Sequence, residues 1–62
     1  MTIKELRALT GMSQVKFSKY LGIPRRTIED WERDLHLPPT YVVELIEYKL
    51  RNENLIQEEG QG

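Results

Sequence analysis

A single residue, Ile23, separates Gly22 from Pro24, and this spacing constrains the fold more than any other feature of the chain. Glycine tolerates the left-handed conformation in which helices often end. Proline is well placed in a first helical turn, where its missing N–H costs nothing. One helix must therefore stop and another start almost at once, which forces the two to cross at a steep angle. The apolar residues on either side fit that geometry. Counted from Gln14, Phe17, Leu21, Ile23, Ile28 and Trp31 stand at places four, eight, ten, fifteen and eighteen, with Gly22 ninth and small Ser18 fifth. Phe17 and Leu21 are spaced to face Ile28 and Trp31, Ile23 fills the corner, and position 18 is small where the following helix must approach.

Two further helices are expected around this pair. Thr2 with Glu5 three residues on predicts a reciprocal capping box, and the helix it opens ends at Gly11 with Ile3, Leu6 and Ala8/Leu9 on its apolar face. Ser13 caps the second helix, which runs to Gly22. The third begins around Pro24 and stops near Arg33 or Asp34. Leu35-His36-Leu37-Pro38-Pro39 then forms a loop, and its prolines fix the entry to a fourth helix that starts around Pro39 or Thr40 and reaches Arg51 or Asn52. No segment reads as a convincing strand, and no repeat or linker divides the chain. The expected organisation is an all-α, compact four-helix domain over 1–52 and a frayed or disordered tail over 53–62.

Composition narrows the function. A chain of 62 residues, 39% apolar and 31% charged, has the make-up of a soluble folded domain with a thin core. The longest apolar run is Tyr41-Val42-Val43, far short of a membrane span, and no N-terminal run has the length of a signal peptide, so a cytoplasmic location is expected. Without cysteine there is no disulfide, thiolate zinc site or thiol nucleophile. His36 is alone and reads as a solvated loop histidine, so no metal and no cofactor are implied. No nucleophile stands beside a base, and no glycine loop could cradle a phosphate. An enzyme is therefore not expected, and neither is a sizeable pocket or a small-molecule ligand. The net charge of −1 conceals a split. Residues 1–28 carry six Lys/Arg against Glu5 alone, giving +5, and residues 29–62 carry three against nine acids, giving −6. Such asymmetry points to a polyanionic partner.

The stretches Met12-Ser13-Gln14, Leu21-Gly22-Ile23-Pro24, Thr27-Ile28 and Trp31-Glu32, followed by Pro38-Pro39, together resemble the Cro and phage-repressor type of helix-turn-helix, the Xre-like family. The resemblance runs from about Ile3 to Leu50. It implies a lambda-repressor-like fold, in which the family often adds a fifth helix; this chain has little material for one beyond Asn52. It also implies a structural salt bridge between Arg7 on the first helix and Glu32 at the end of the third. The chain departs from the family in having Pro24 where Ser or Thr is usual and Ser18 where Ala is usual.

In the family's binding mode the third helix lies in the major groove of double-stranded DNA and the second crosses the phosphates. Carried over, the base-reading candidates are Arg25, Arg26, Thr27, Glu29 and Asp30, with the arginines first because a guanidinium can bond guanine O6 and N7 together. Gln14, Lys16, Lys19 and Arg33 are the candidates for phosphate contact. On the fourth helix, Tyr48, Tyr41, Leu45, Val42, Ile46, Leu50 and Val43 cover roughly 220° of the wheel, more than the slightly over 100° that a core-facing helix needs. Tyr41, Val43, Tyr48 and Leu50 are accordingly candidates for a homodimer contact. The expected protein is a small transcriptional regulator acting as a repressor. The rival is a protein-interaction module, antitoxin-like or an anti-repressor, that uses the apolar face of the fourth helix.

Overall fold

A computed structural model describes residues 1–56, and among these the chain forms four helices and no strand: α1 Ile3–Thr10, α2 Gln14–Leu21, α3 Arg25–Glu32 and α4 Thr40–Asn52. The first two helices start on side-chain caps. Thr2 Oγ1 accepts from the Glu5 N–H at 3.1 Å while Glu5 Oε1 accepts from the Thr2 N–H at 2.8 Å, closing the capping box. The backbone bond from Thr2 holds the Glu5 carboxyl below the usual carboxylate range. Ser13 Oγ accepts from the Lys16 N–H at 3.1 Å.

Both of these helices end on a left-handed glycine, Gly11 at φ 75° and Gly22 at φ 72°. Past Gly22, the Ile23 N–H reaches back to the Ser18 carbonyl at 3.0 Å, which turns Ile23 inward at the corner. Pro24 stands at the N-cap of α3, one place before its first helical residue, and makes no side-chain cap. Its carbonyl instead accepts from Thr27 and Ile28, at 3.0 and 3.3 Å. Pro39 fills the same position before α4.

Every helix contributes to the buried core: Ile3 and Leu6 from α1, Phe17 from α2, Ile28 from α3, Ile46 and Leu50 from α4. Leu21, Ile23 and Trp31 pack against it half-buried. Ser18 is 6% exposed, and its hydroxyl donates to the Val15 carbonyl at 2.7 Å, so the position is both small and satisfied. α3 packs against α1 and α2.

The folded chain continues past Asn52, beyond the expected start of the tail. Asn54 adopts φ 61°, its N–H donates to the Arg51 carbonyl at 3.0 Å, and the Leu55 N–H donates to the Leu50 carbonyl at 2.8 Å. This is the two-bond pattern in which a left-handed residue ends a helix and the next residue folds back as an apolar contact. It returns Leu55 to the core margin and places Ile56 inside the core, 7% exposed. The rest of the expected tail, 57–62, lies outside the described residues. Asp34, at φ 61°, ends α3 in the same way, with Leu35 N–H on the Asp30 carbonyl at 2.9 Å.

Candidate nucleic-acid interface

The orientation of α3 is set at its C-terminal end by charge. Arg7 Nε lies 2.6 Å from Glu32 Oε2 and Nη2 lies 3.0 Å from Oε1, a bidentate fork, while Nη1 donates to the Met12 carbonyl at 3.0 Å. Gln14 Nε2 adds a bond to Glu32 Oε1 at 3.1 Å. Glu32 is nearly buried, its side chain 5% exposed, and Arg7 is 22% exposed. The hydrogen bonds from Arg7, then the one from Gln14, hold the Glu32 carboxyl below its usual range, against the opposing effect of burial; the same fork raises Arg7. Residues from α1, the start of α2 and the end of α3 are thus joined in one network. Gln14, expected at a phosphate, has one amide N–H committed to Glu32.

On the outer side of α2, Lys16 and Lys19 are exposed, opposite the buried Phe17 and Ser18. On α3, Arg25 and Arg26 are exposed at the first turn, Thr27 is half-buried, and Arg33 is exposed just past the helix. At about 100° per residue, Arg26 and Arg33 fall within about 20° of one another, on the side away from Ile28 and Trp31. Glu29 and Asp30 each have a neighbouring side-chain partner. Arg25 Nη2 pairs with Glu29 Oε2 at 3.3 Å, and His36 Nδ1 lies 3.5 Å from Asp30 Oδ2. Arg26, Lys16, Lys19 and Arg33 make no ion pair among the described residues. Arg26, Lys16, Lys19 and Arg33 are therefore the charged groups left available on this surface, while the two acids are engaged by Arg25 and His36.

The fourth helix divides differently from the expectation. Leu50 is fully buried and cannot be a dimer contact, because it belongs to the same core cluster as Leu6 and Phe17. Val43 is half-buried. Tyr41 and Tyr48 are 66% and 70% exposed, and between them Leu45 is 61% exposed. These three stand at i, i+4 and i+7, one continuous apolar stripe on the face away from the core. The helical wheel contains all of these residues, but without a core direction it does not separate Leu45 from Leu50.

One further contact had no signal in the sequence. The Tyr20 hydroxyl donates to Glu53 Oε1, Lys49 Nζ reaches Glu53 Oε2 at 3.0 Å, and the same ammonium lies 4.9 Å from the centre of the Tyr20 ring. Desolvation, then the bond to Glu53, pushes the Tyr20 hydroxyl up to about 12. The triad clasps α2 to the end of α4 across 33 residues of sequence.

Among the described residues, no group of three or more acidic or histidine side chains could hold a metal, and no helix is long and apolar enough to cross a membrane. A protein-family model described as helix-turn-helix matches residues 3–48, which takes in α1 to α3 and most of α4. No curated protein and no solved structure matches the chain.

Proposed function

The chain belongs to the helix-turn-helix family of DNA-binding regulators, and from that premise we propose that α3 enters the major groove of a specific duplex while α2 lies across the phosphates. The observation that carries this is the set of exposed cations on the two helices: Lys16 and Lys19 on α2, Arg25 and Arg26 at the start of α3. Arg26 is the first choice for reading a guanine, because it is exposed at the first turn and makes no ion pair within the described residues. Arg25, braced by Glu29, and Thr27 complete the reading turn. Glu29 and Asp30 have the lesser part, accepting from a cytosine N4 only once Arg25 and His36 let go. Lys16, Lys19 and Arg33 grip phosphates, joined by Gln14 through the amide hydrogen that Glu32 leaves free.

One such domain binds weakly, and two-fold pairing through Tyr41, Leu45 and Tyr48 supplies a second reading helix for a half-site about one DNA turn away. A homodimer covering an operator excludes polymerase, so the protein acts as a repressor, in the cytoplasm. Glu44 and Glu47 of α4 line a groove with Trp31, on the side of α3 away from Arg26, so DNA binding at the outer face is compatible with a net charge of −1.

The test is selection from a random duplex library, followed by titration of the selected duplex with the parent chain and with a variant carrying both Arg25→Glu and Arg26→Glu. A palindrome is expected, bound by the parent and not by the variant, with circular dichroism and oligomeric mass unchanged. Retained binding overturns the assignment of α3. The same stripe on α4 favours a second reading, a protein-interaction module; absence of DNA binding even at low salt, with a protein partner held through Leu45, decides for it.

A further inference from the structure

We propose that the groove between the start of α1, the loop after α3 and the first half of α4 is a binding site for a small organic ammonium compound with an apolar body. The groove encloses about 390 Å³, within the ligand-sized range of roughly 300–1,000 Å³. Ile3, Trp31 and Val43 give it an apolar lining, and its charged side chains are Asp34, Glu44 and Glu47, with no Lys, Arg or His side chain among those that line it.

Charge decides the class of ligand. Glu47 is already answered by Arg51, whose Nη2 lies 2.6 Å away, whereas Asp34 and Glu44 make no ion pair among the described residues. Met1, which carries the chain's α-ammonium, also lines the groove, so the lining sets one cationic group against the carboxylates of Asp34 and Glu44. The groove thus keeps a net negative charge beside an apolar lining that includes an indole. An anion entering the groove meets like charge, and a neutral polar molecule gains little over water. A cation on a hydrophobic body gains two ways: from the carboxylates, and from burial of its apolar part against Ile3, Trp31 and Val43. The volume suits a free small molecule rather than a macromolecular segment. Neither Asp34 nor Glu44 belongs to the surface assigned to DNA, so binding here does not depend on that assignment.

Trp31 is the only tryptophan, so its fluorescence reports occupancy directly. The full chain is titrated with 2-phenylethylammonium, 2-phenylethanol and 3-phenylpropionate, and the ammonium titration is repeated on a variant carrying Asp34→Asn and Glu44→Gln. Asparagine accepts the left-handed backbone at φ 61° as readily as aspartate, and Glu44 is exposed, so the substitutions remove charge and leave the fold. The expected result is saturable binding of the ammonium compound at about millimolar concentration or below, with the alcohol, the carboxylate and the double variant each weaker by roughly tenfold or more. Equal binding of ammonium and alcohol, no saturable signal, or unchanged affinity in a folded double variant overturns the proposal. The comparison of the three compounds on the parent chain holds even if the variant fails to fold.

Discussion

Glu32→Gln removes one charge from the network that orients α3 and keeps the shape of the side chain. The parent carboxylate receives two bonds from Arg7, at 2.6 and 3.0 Å, and one from Gln14 at 3.1 Å. Hydrogen bonds to charged groups contribute about 1.5–3 kcal/mol each. Two features reduce the loss below a simple sum: Arg7 keeps its bond to the Met12 carbonyl, and its side chain remains 22% exposed to screening water. A net loss of about 2–3 kcal/mol follows. In a domain whose small core supplies no more than roughly 3–5 kcal/mol, that is most of the stability. At about 4–8 °C per kcal/mol for a chain of this size, the melting temperature falls by roughly 10–20 °C.

The assay is thermal and urea unfolding followed by far-UV circular dichroism, run as a pH series. The sign follows from the depressed folded pKa of Glu32. Its contribution is fully present above the unfolded value of about 4.3 and is lost as pH falls through the lower folded value, so the gap between parent and variant closes in acid. Glu5 and Glu53 are also depressed, but both remain in the variant and cancel from the difference. A variant within about 1 kcal/mol of the parent at neutral pH, or a gap that persists in strong acid, refutes the view that this fork holds α3 in place. Replacing both partners, Arg7→Met with Glu32→Leu, should destabilise less than Glu32→Leu alone, because no buried charge is left unanswered.

Lys16→Ala with Lys19→Ala should weaken binding to every duplex alike, and the slope of log affinity against log salt should become shallower by about 0.9 for each phosphate no longer neutralised. Anisotropy titration at several ionic strengths measures this, and an unchanged slope removes these lysines from the interface. Leu45→Glu should leave melting nearly unchanged, because the side chain is 61% exposed, and should abolish dimerisation and weaken operator binding in sedimentation and titration experiments. Leu50→Ala, on the same helix but fully buried, should instead cost about 2–5 kcal/mol in urea melts. Gly22→Ala should destabilise by about 1–2 kcal/mol through the left-handed backbone alone, since an added Cβ meets nothing within 4 Å, and Gly22→Asn should recover part of that loss.

Local rules made much of the fold legible. The capping box at Thr2 and Glu5, the cap at Ser13 and the glycine exits at 11 and 22 are decided by neighbours within a few residues, so they can be read directly. The end of the domain is harder to read, also for a local reason. Asn54 followed by Leu55 and Ile56 is a left-handed exit followed by apolar residues, but asparagine signals it more weakly than glycine. Of the candidate site, the cations on α2 and α3 are legible because the periodicity of a helix assigns its outer face once Phe17, Ile28 and Trp31 are taken inward. The pairing of Arg25 with Glu29, of His36 with Asp30 and of Gln14 with Glu32 is not, because rotamer choice among several reachable partners leaves no trace in residue spacing.

By itself, then, the sequence determined where each helix begins, which residues of α2 and α3 face inward, and that the chain carries a helix-turn-helix; those outcomes follow from backbone conformations and periodicities set within a few residues. The tertiary structure alone decided which side of α4 is core and which is stripe, that Ile56 completes the core, that Tyr20 clasps Glu53, and that α1, the loop and α4 leave a groove lined by Asp34 and Glu44. Each of these depends on residues distant in the chain competing for the same small volume. Only the packed arrangement resolves that competition, because burial of one apolar face is what leaves another exposed.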